Sequence, residues 1–566
     1  MAPSAISLAD SNNESLDTRP RILIPEKVSP DGLALLEKLF IIDQRKSLSA
    51  NDLLTLIPSY HALIIRSETK VTSEVLAAAK NLKVVARAGV GVDNVDVDAA
   101  TQHGIIVVNS PSGNIVAAAE HTIALLMAVA RNIPGGDRSL RSGGWERSKL
   151  VGTEVGGKSL GIIGLGKVGL KVARMAIGLG MKVLALDPYA SPEIAKTNSV
   201  TLVSDLSLLL RESDFLTIHT PLIASTLDLI GKEELSTMKK TAKVLNVARG
   251  GVYNEEALLD ALETGVIAGA GLDVFTSEPP KPGSAAESLC RHERVVATPH
   301  LGASTIEAQE NVSVDVCGQV LAILSGGVPT SAVNAPLILP EEYRKLQPFV
   351  QLIEKMGGLY TQHYSSKGGI GGKRFDLVYE GELASISNTR PLFAALVKGL
   401  TSPISDSAGR DVNIVNASLI AKQKGIIINE IHTGTSEDLT YASLVTLKAT
   451  TASGEDQIIS GYVSGKGIFI SRLDRFSTSF VPEGTLLVLH NYDEPGKIGG
   501  VGSILGRHAI NIRFMSVAAL EGEGQGDDRK DNEALMILGV SGVIGKEVEA
   551  ELRAEAGILD VSVVRL

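Results

Sequence analysis

Cysteine is nearly absent. Two residues, Cys290 and Cys317, cannot staple a chain of 566 and lack metal-ligand spacing, so they read as reduced thiols of a cytoplasmic protein and no metal site is expected. Aromatic residues make up only 4%, with a single tryptophan. No apolar run approaches the roughly 18–20 residues of a membrane span, so no membrane contact is expected. The net charge of −10, from 54 Lys and Arg against 64 Asp and Glu, argues against general nucleic-acid or anionic-membrane binding, while leaving room for a local basic pocket. The first nineteen residues hold Arg19 against Asp10, Glu14 and Asp17 and have no hydrophobic centre. They read as a disordered tail, not as a secretory or mitochondrial leader.

What the chain has is glycine, 57 residues of it, and aliphatic text within a 44% apolar composition. Heavy glycine with few aromatics suits α/β proteins, where tight turns and buried aliphatic strands recur. The length suggests three to four domains at about 150 residues each. From Pro20, strand candidates at 22–24, 63–65, 84–86 and 105–108 alternate with helical stretches at 32–39, 73–80 and 95–103. A long helix is predicted from Ala117 to Arg131, stopped by Pro134-Gly135-Gly136. A second series begins at Lys158, with six strands at 159–163, 182–186, 215–219, 243–247, 268–272 and 295–297, matching a doubly wound nucleotide-binding domain. A helix over 303–324 leads away from it. After Pro336 the text mixes helix with β-rich segments, and Gly368–Gly372 marks a turn or connection. Beyond 482 the order is βαββαβ, the split-βαβ, ferredoxin-like pattern, with Glu521–Asn532 as an exposed loop.

The chemistry concentrates in the second series. Gly164-Leu165-Gly166-Lys167-Val168-Gly169 follows one strand and opens a helix, and Asp187 ends the next strand. Glycines there permit a tight turn and close approach of a pyrophosphate to the helix N-terminus, while the carboxylate binds a ribose 2′-hydroxyl and repels a 2′-phosphate. That combination points to NAD over NADP. Three later strand ends carry Asn246–Gly251, Asp273–Pro279 and Thr298–Ala303, offering the cation Arg249, the carboxylate Glu278 and the imidazole His300. Oxidation of a 2-hydroxy acid needs such a set. A base takes the hydroxyl proton as hydride leaves, a guanidinium holds the carboxylate and polarises the forming carbonyl, and a carboxylate orients the base.

These segments, together with Arg87–Val95 and Pro299–Thr305, resemble the motifs of D-isomer-specific 2-hydroxyacid dehydrogenases over about residues 20–566. The resemblance implies a Rossmann-type doubly wound NAD domain (119–302) inserted in a flavodoxin-like substrate domain (20–118 and 303–336). An α+β intervening domain (337–482) and a ferredoxin-like ACT regulatory domain (483–566) would follow. It assigns catalysis to Arg249, Glu278 and His300. Cofactor contacts fall on Gly164, Gly166, Lys167, Val168, Gly169, Asp187, Thr220, Val247, Ala248, Arg249, Asp273, His300, Leu301, Gly302 and Ala303. One departure is Val90, where relatives often carry Thr near the nicotinamide. The implied reaction is NAD-dependent oxidation of 3-phospho-D-glycerate to 3-phosphooxypyruvate on the way to L-serine. Alternatives are oxidation of another D-2-hydroxy acid, such as glycerate, or a non-enzymatic, NAD-sensing corepressor-like role.

A phosphorylated substrate requires focused positive charge in an acidic protein. Arg66 and Arg87 follow strand ends and are candidate ligands with Arg249, and Asn109 follows another. The excursion Gly144–Lys149 is, in the family, a subunit contact, which implies a homo-oligomer, a dimer or tetramer. At the C-terminal end, Asn491, Asp493 and Asn511 match polar positions at which ACT domains bind an amino-acid effector such as L-serine. The turn Asp493–Gly496 equally suits a plain helix cap, and both readings stand.

Overall fold

The computed structural model describes residues 19–364, 374–405, 412–434, 441–450, 456–520 and 532–566. The tail before Arg19, the Gly368–Gly372 cluster and residues 521–531 of the expected loop lie outside the described residues.

Five strands form the first sheet: β1 (Arg21–Ile24), β2 (Ile41–Gln44), β3 (Ala62–Ile65), β4 (Val84–Arg87) and β5 (Ile106–Asn109). All are parallel, in the order β2-β1-β3-β4-β5. β3 is buried at every position, as a strand covered on both faces must be. β2 was not expected. It is an edge strand, Ile-Ile-Asp-Gln, with no fully buried residue and too little apolar text to stand out. The chain returns to this sheet late: Val312, Val316, Cys317 and Val320 of the helix Ile306–Leu324 pack with Ile22, Ile64 and Val84. Asn334 Oδ1 then accepts the Val107 N–H at 2.9 Å.

The second sheet has seven parallel strands, not six: β6 (Ser159–Ile163), β7 (Lys182–Leu186), β8 (Thr201–Leu202), β9 (Phe215–Ile218), β10 (Lys243–Asn246), β11 (Gly269–Leu272) and β12 (Val295–Ala297). The two-residue β8 is too short to leave a sequence pattern. The order β12-β11-β10-β9-β6-β7-β8 reverses between β6 and β9, so the loops after those strands flank a crevice. The helix Ile115–Ala130 packs on this sheet through Ala119, Leu125, Leu126 and Ala130. Pro134-Gly135-Gly136 does not end helical structure here. Asn132, at φ 53°, breaks the first helix, and Pro134 fits the opening turn of a second, Ile133–Arg141.

Strands β13 (Arg374–Gly381), β14 (Ile427–Thr433), β15 (Ser443–Thr450), β16 (Asp456–Ser464), β17 (Gly467–Leu473) and β18 (Phe476–Phe480) make the third sheet, ordered β14-β13-β15-β16-β17-β18. The helices Pro340–Tyr364 and Arg390–Thr401 pack their buried residues against it. The fourth sheet is antiparallel: β19 (Thr485–Tyr492), β20 (Asn511–Ala519), β21 (Glu533–Ser541) and β22 (Ile558–Arg565), ordered β20-β21-β19-β22 with two intervening helices, as the split-βαβ pattern requires. Alternation splits β19 between two cores. Leu487 and Leu489 face this unit's own helices, while Leu486 and Val488 join the core of the third sheet. Among the described residues no single helix is long and apolar enough to cross a membrane, and the pair Ile115–Ala130 and Ile133–Arg141 is bent by 63°.

Candidate active site

The glycine turn after β6 is built by close approach. Gly164 has φ +90°, and a Cβ there would lie 2.7 Å from the His219 carbonyl oxygen. A Cβ on Gly169 would lie 2.1 Å from the Gly164 oxygen, so the helix Lys167–Gly178 sits directly on the strand end. Nothing lies within 4 Å of a Cβ position at Gly166, which leaves open space before the helix N-terminus and its unpaired first-turn N–H groups. Asp187 ends β7 and is fixed by both oxygens: Oδ2 accepts the Leu165 N–H and Oδ1 the Tyr189 N–H, each at 2.8 Å. Thr220, after β9, has a buried Oγ1 with no hydrogen-bond partner among the described residues. An open phosphate cradle, a fixed carboxylate and an unsatisfied hydroxyl on the two sides of the switch point fit a dinucleotide. Lys167 Nζ reaches across to Ser112 Oγ at 2.9 Å, linking the turn to the first sheet's loops. Val168 packs against the apolar core beneath.

The catalytic candidates meet across this cleft. Asp273 at the end of β11 accepts the Leu301 N–H at 2.7 Å, the Gly302 N–H at 2.8 Å and the Thr298 hydroxyl at 2.6 Å. Its backbone carbonyl accepts the His300 N–H at 2.9 Å. The loop after β12 is thereby pinned, with His300 at φ 53°. Its ring presents Nδ1 to Glu278 Oε2 at 2.6 Å. Burial pushes the Glu278 carboxyl up, but hydrogen bonds with His300 and the Phe275 N–H outweigh it and hold the group below the ordinary carboxylate range. Asp273 behaves alike: burial raises it, and bonds with His121, Thr298, Leu301 and Gly302 bring it below its ordinary value. On the loop after β10, Asn246 receives the Ala248 N–H and donates to the Arg249 carbonyl, shaping the bend that aims Arg249. Arg249 Nε lies 3.4 Å from Asp93 Oδ2. Val247, Ala248, Leu301, Gly302 and Ala303 lie on these same two loops.

Arg87, Asn94, Lys70, Arg249, Glu278 and His300 line one cavity of about 700 Å³. Burial lowers the Arg87 pKa, and the charge of Arg249 adds to the effect, so the two guanidinium groups share this space. Arg66 does not line the cavity, yet its charge reaches Arg87. Glu26 accepts the N–H groups of Arg66, Glu68 and Thr69 and fixes that loop. Asn109 does not serve as expected. Its amide donates to the Val90 carbonyl in the loop after β4, and its oxygen accepts the Ser331 hydroxyl of the returning chain, so the side chain is held at both ends. Asn94 lies within the Arg87–Val95 motif without an assigned role, and Lys70 and Glu26 carried no motif. Nor did His121, whose Nε2 lies 3.2 Å from Asp273 Oδ1 and 3.0 Å from Thr298 Oγ1.

The three effector candidates are not brought together within one chain. Asn491 on β19 pairs with Ala534 on β21, whereas Asn511 pairs with Ser541, seven residues or about 24 Å along the same strand. Asn491 is buried, and its Oδ1 has no hydrogen-bond partner among the described residues, while Asp493 is exposed.

Residues 123–302 match the family description "D-isomer specific 2-hydroxyacid dehydrogenase, NAD binding domain", and residues 345–470 match "D-3-phosphoglycerate dehydrogenase intervening domain". The chain is 40% identical over 553 residues to D-3-phosphoglycerate dehydrogenase of Synechocystis, covering 97% of this chain and 95% of that one. It is 43% identical to D-3-phosphoglycerate dehydrogenase 2, chloroplastic, of Arabidopsis thaliana, covering 94% and 86%. Among solved structures, D-lactate dehydrogenase from Aquifex aeolicus complexed with NAD and lactic acid is similar at a TM-score of 0.50 and 25% identity, over 56% of this chain and 99% of that one.

Proposed function

The chain belongs to the D-3-phosphoglycerate dehydrogenase family of NAD-dependent oxidoreductases, and from that premise we propose that its cleft oxidises 3-phospho-D-glycerate to 3-phosphooxypyruvate, the first step toward L-serine. When bound, NAD⁺ would supply the acceptor for the hydride leaving C2 of the substrate. His300 Nε2 takes the hydroxyl proton, while Glu278 on the opposite ring nitrogen orients the imidazole and stabilises the imidazolium that forms. Arg249 holds the substrate carboxylate through paired N–H donors and polarises the developing carbonyl. Arg87 and Lys70, with Arg66 close enough for its charge to reach Arg87, supply the local positive charge for the phosphate. Asp187, Thr220 and the Gly164–Gly169 turn would hold the cofactor.

The observation that carries this reading is the 2.6 Å contact between Glu278 and His300 in one cavity with Arg249. The test is NADH formation from 3-phosphoglycerate against glycerate. His300→Ala and Arg249→Ala should each lower turnover by about 10²-fold or more with the fold intact. Near-normal turnover in either variant overturns the roles.

The fourth sheet and its two helices act, on this reading, as an ACT-type regulatory unit with L-serine as effector. Because Asn491 and Asn511 stand at opposite ends of β21, a site using both takes them from two copies of the chain. Exposed Ile133, Leu140, Trp145 and Val151 support a homo-oligomer joined through residues 133–151. Sedimentation of the wild type against Trp145→Glu, and turnover with and without L-serine, test the two statements. The free thiols Cys290 and Cys317 support a reducing compartment such as the cytoplasm.

A further inference from the structure

A second cluster of chemistry lies far along the chain from the cleft, where the third and fourth sheets meet. His363 is next to last in the helix Pro340–Tyr364, Asp474 forms the turn between β17 and β18, and His490 is near the end of β19. One ligand atom from each of the three lies within 4.8 Å of the others. His363 is 2% exposed, and the other two are half-buried.

The surroundings hold these donors in place. His363 Nδ1 lies 3.0 Å from Ser562 Oγ on β22. With that hydroxyl accepting, the proton sits on Nδ1 and Nε2 carries the lone pair, as in a histidine whose far nitrogen is held by a hydrogen bond while the near one ligates. Asp474 Oδ1 accepts the Tyr364 hydroxyl at 2.6 Å and the Ile458 N–H at 3.1 Å, which leaves Oδ2 as the oxygen for a ligand. Asp474 itself takes φ 52°, a left-handed conformation that the tight β17–β18 turn imposes. The rings of His363 and His490 are 5.9 Å apart at 33°, and Phe476 meets His490 edge-on at 5.5 Å.

We propose that His363, Asp474 and His490 form a divalent metal site of the zinc class, clamping the third sheet to the fourth. Two imidazoles and one carboxylate are a nitrogen-rich set that suits zinc and its first-row neighbours, whereas magnesium and calcium take all-oxygen shells. Bond lengths near 2.0–2.1 Å place tetrahedral ligands about 3.3 Å apart, so binding draws each side chain inward by at most roughly 1 Å. A three-ligand set leaves the fourth position to water or to a small external donor. Since the ligands come from both sheets, the ion stabilises their seam and takes no part in hydride transfer.

The full chain is stripped with chelator, passed through gel filtration, and titrated with Zn²⁺ and, separately, Co²⁺. Retention of about one equivalent, a tetrahedral Co²⁺ absorption spectrum and a rise of a few degrees in Tm are expected. Asp474→Asn and His490→Gln should lose all three responses while keeping wild-type NADH formation, and His432→Gln, at an exposed histidine, should keep them. A wild type that retains no metal and shows no change in Tm overturns the proposal, whatever the variants do. So does equal binding by wild type and both ligand variants.

Discussion

Glu278 Oε2 stands 2.6 Å from His300 Nδ1, although the two residues arrive from different strand ends of one sheet. The contact fixes which imidazole nitrogen is left for the substrate. It also fixes where the negative charge sits when that nitrogen takes a proton.

Glu278→Gln therefore keeps the shape and removes the charge. The expected outcome is a fall in kcat of about 10–10²-fold with a small change in KM for NAD. Because the wild-type carboxyl is held below its ordinary value, the ionised contact persists through neutral pH and is lost only as pH falls through that lowered value. Steady-state kinetics of the two proteins across the acid range check both statements.

Gly91 makes room for Arg249. A Cβ at that position would lie 2.0 Å from an Arg249 terminal nitrogen and 2.6 Å from Asp93 Oδ2. Gly91→Ala should push the guanidinium off the substrate carboxylate, lowering kcat/KM by about 10²-fold. Tm should change little, because the displaced atoms are the far end of an accessible side chain. Wild-type kcat/KM in this variant would mean that Arg249 does not use this path.

Much of the architecture could be read directly, and the exceptions share a cause. β3 is a continuous aliphatic run, β6 ends in one, and the cofactor turn is six contiguous residues between a strand and a helix. Local text carries such features. β2 is polar at one end and β8 has two residues, so neither leaves a period to count. His121 meets Asp273 across 152 residues of sequence, and Asn109 meets Ser331 across 222. Tertiary packing alone made one a support of the site and removed the other from it. Lys70 lies in an exposed loop without a motif, and only the shape of the cleft gives it a role.

Asp273 bears the loop that carries His300. An asparagine there cannot accept both the Leu301 and Gly302 N–H groups and the Thr298 hydroxyl without turning an NH₂ toward a donor. Asp273→Asn should cost about 1.5–3 kcal/mol in urea unfolding and lower kcat as His300 loses its position. The wild-type carboxyl is held below its ordinary value, so its contribution is complete above about pH 4 and fades as pH falls through the folded value. His121→Ala should reproduce a weaker form of the same loss, read as a lower kcat at unchanged KM for phosphoglycerate.

Lys70 faces the cavity and Arg66 stands beside it, so they should not contribute equally. Lys70→Ala is expected to raise KM for 3-phosphoglycerate about tenfold with kcat nearly unchanged. Arg66→Ala should have the smaller effect. For an unphosphorylated substrate both variants should match the wild type. An equal loss on both substrates would remove phosphate binding from Lys70.

His219 closes β9 beside the glycine turn, and burial pushes its imidazole down to about 4. The unfolded chain, with an ordinary histidine near pH 6.5, binds more protons than the folded one between those two values. Stability should therefore fall as pH drops from about 6.5 toward 4 and level off below, by up to about 3 kcal/mol for this group. His219→Gln removes the titration while keeping an amide within reach of Thr217 Oγ1, which lies 3.1 Å from the imidazole. Urea midpoints at about pH 7 and about pH 5 should converge in the variant relative to the wild type, and an unchanged difference between them would place the acid sensitivity elsewhere.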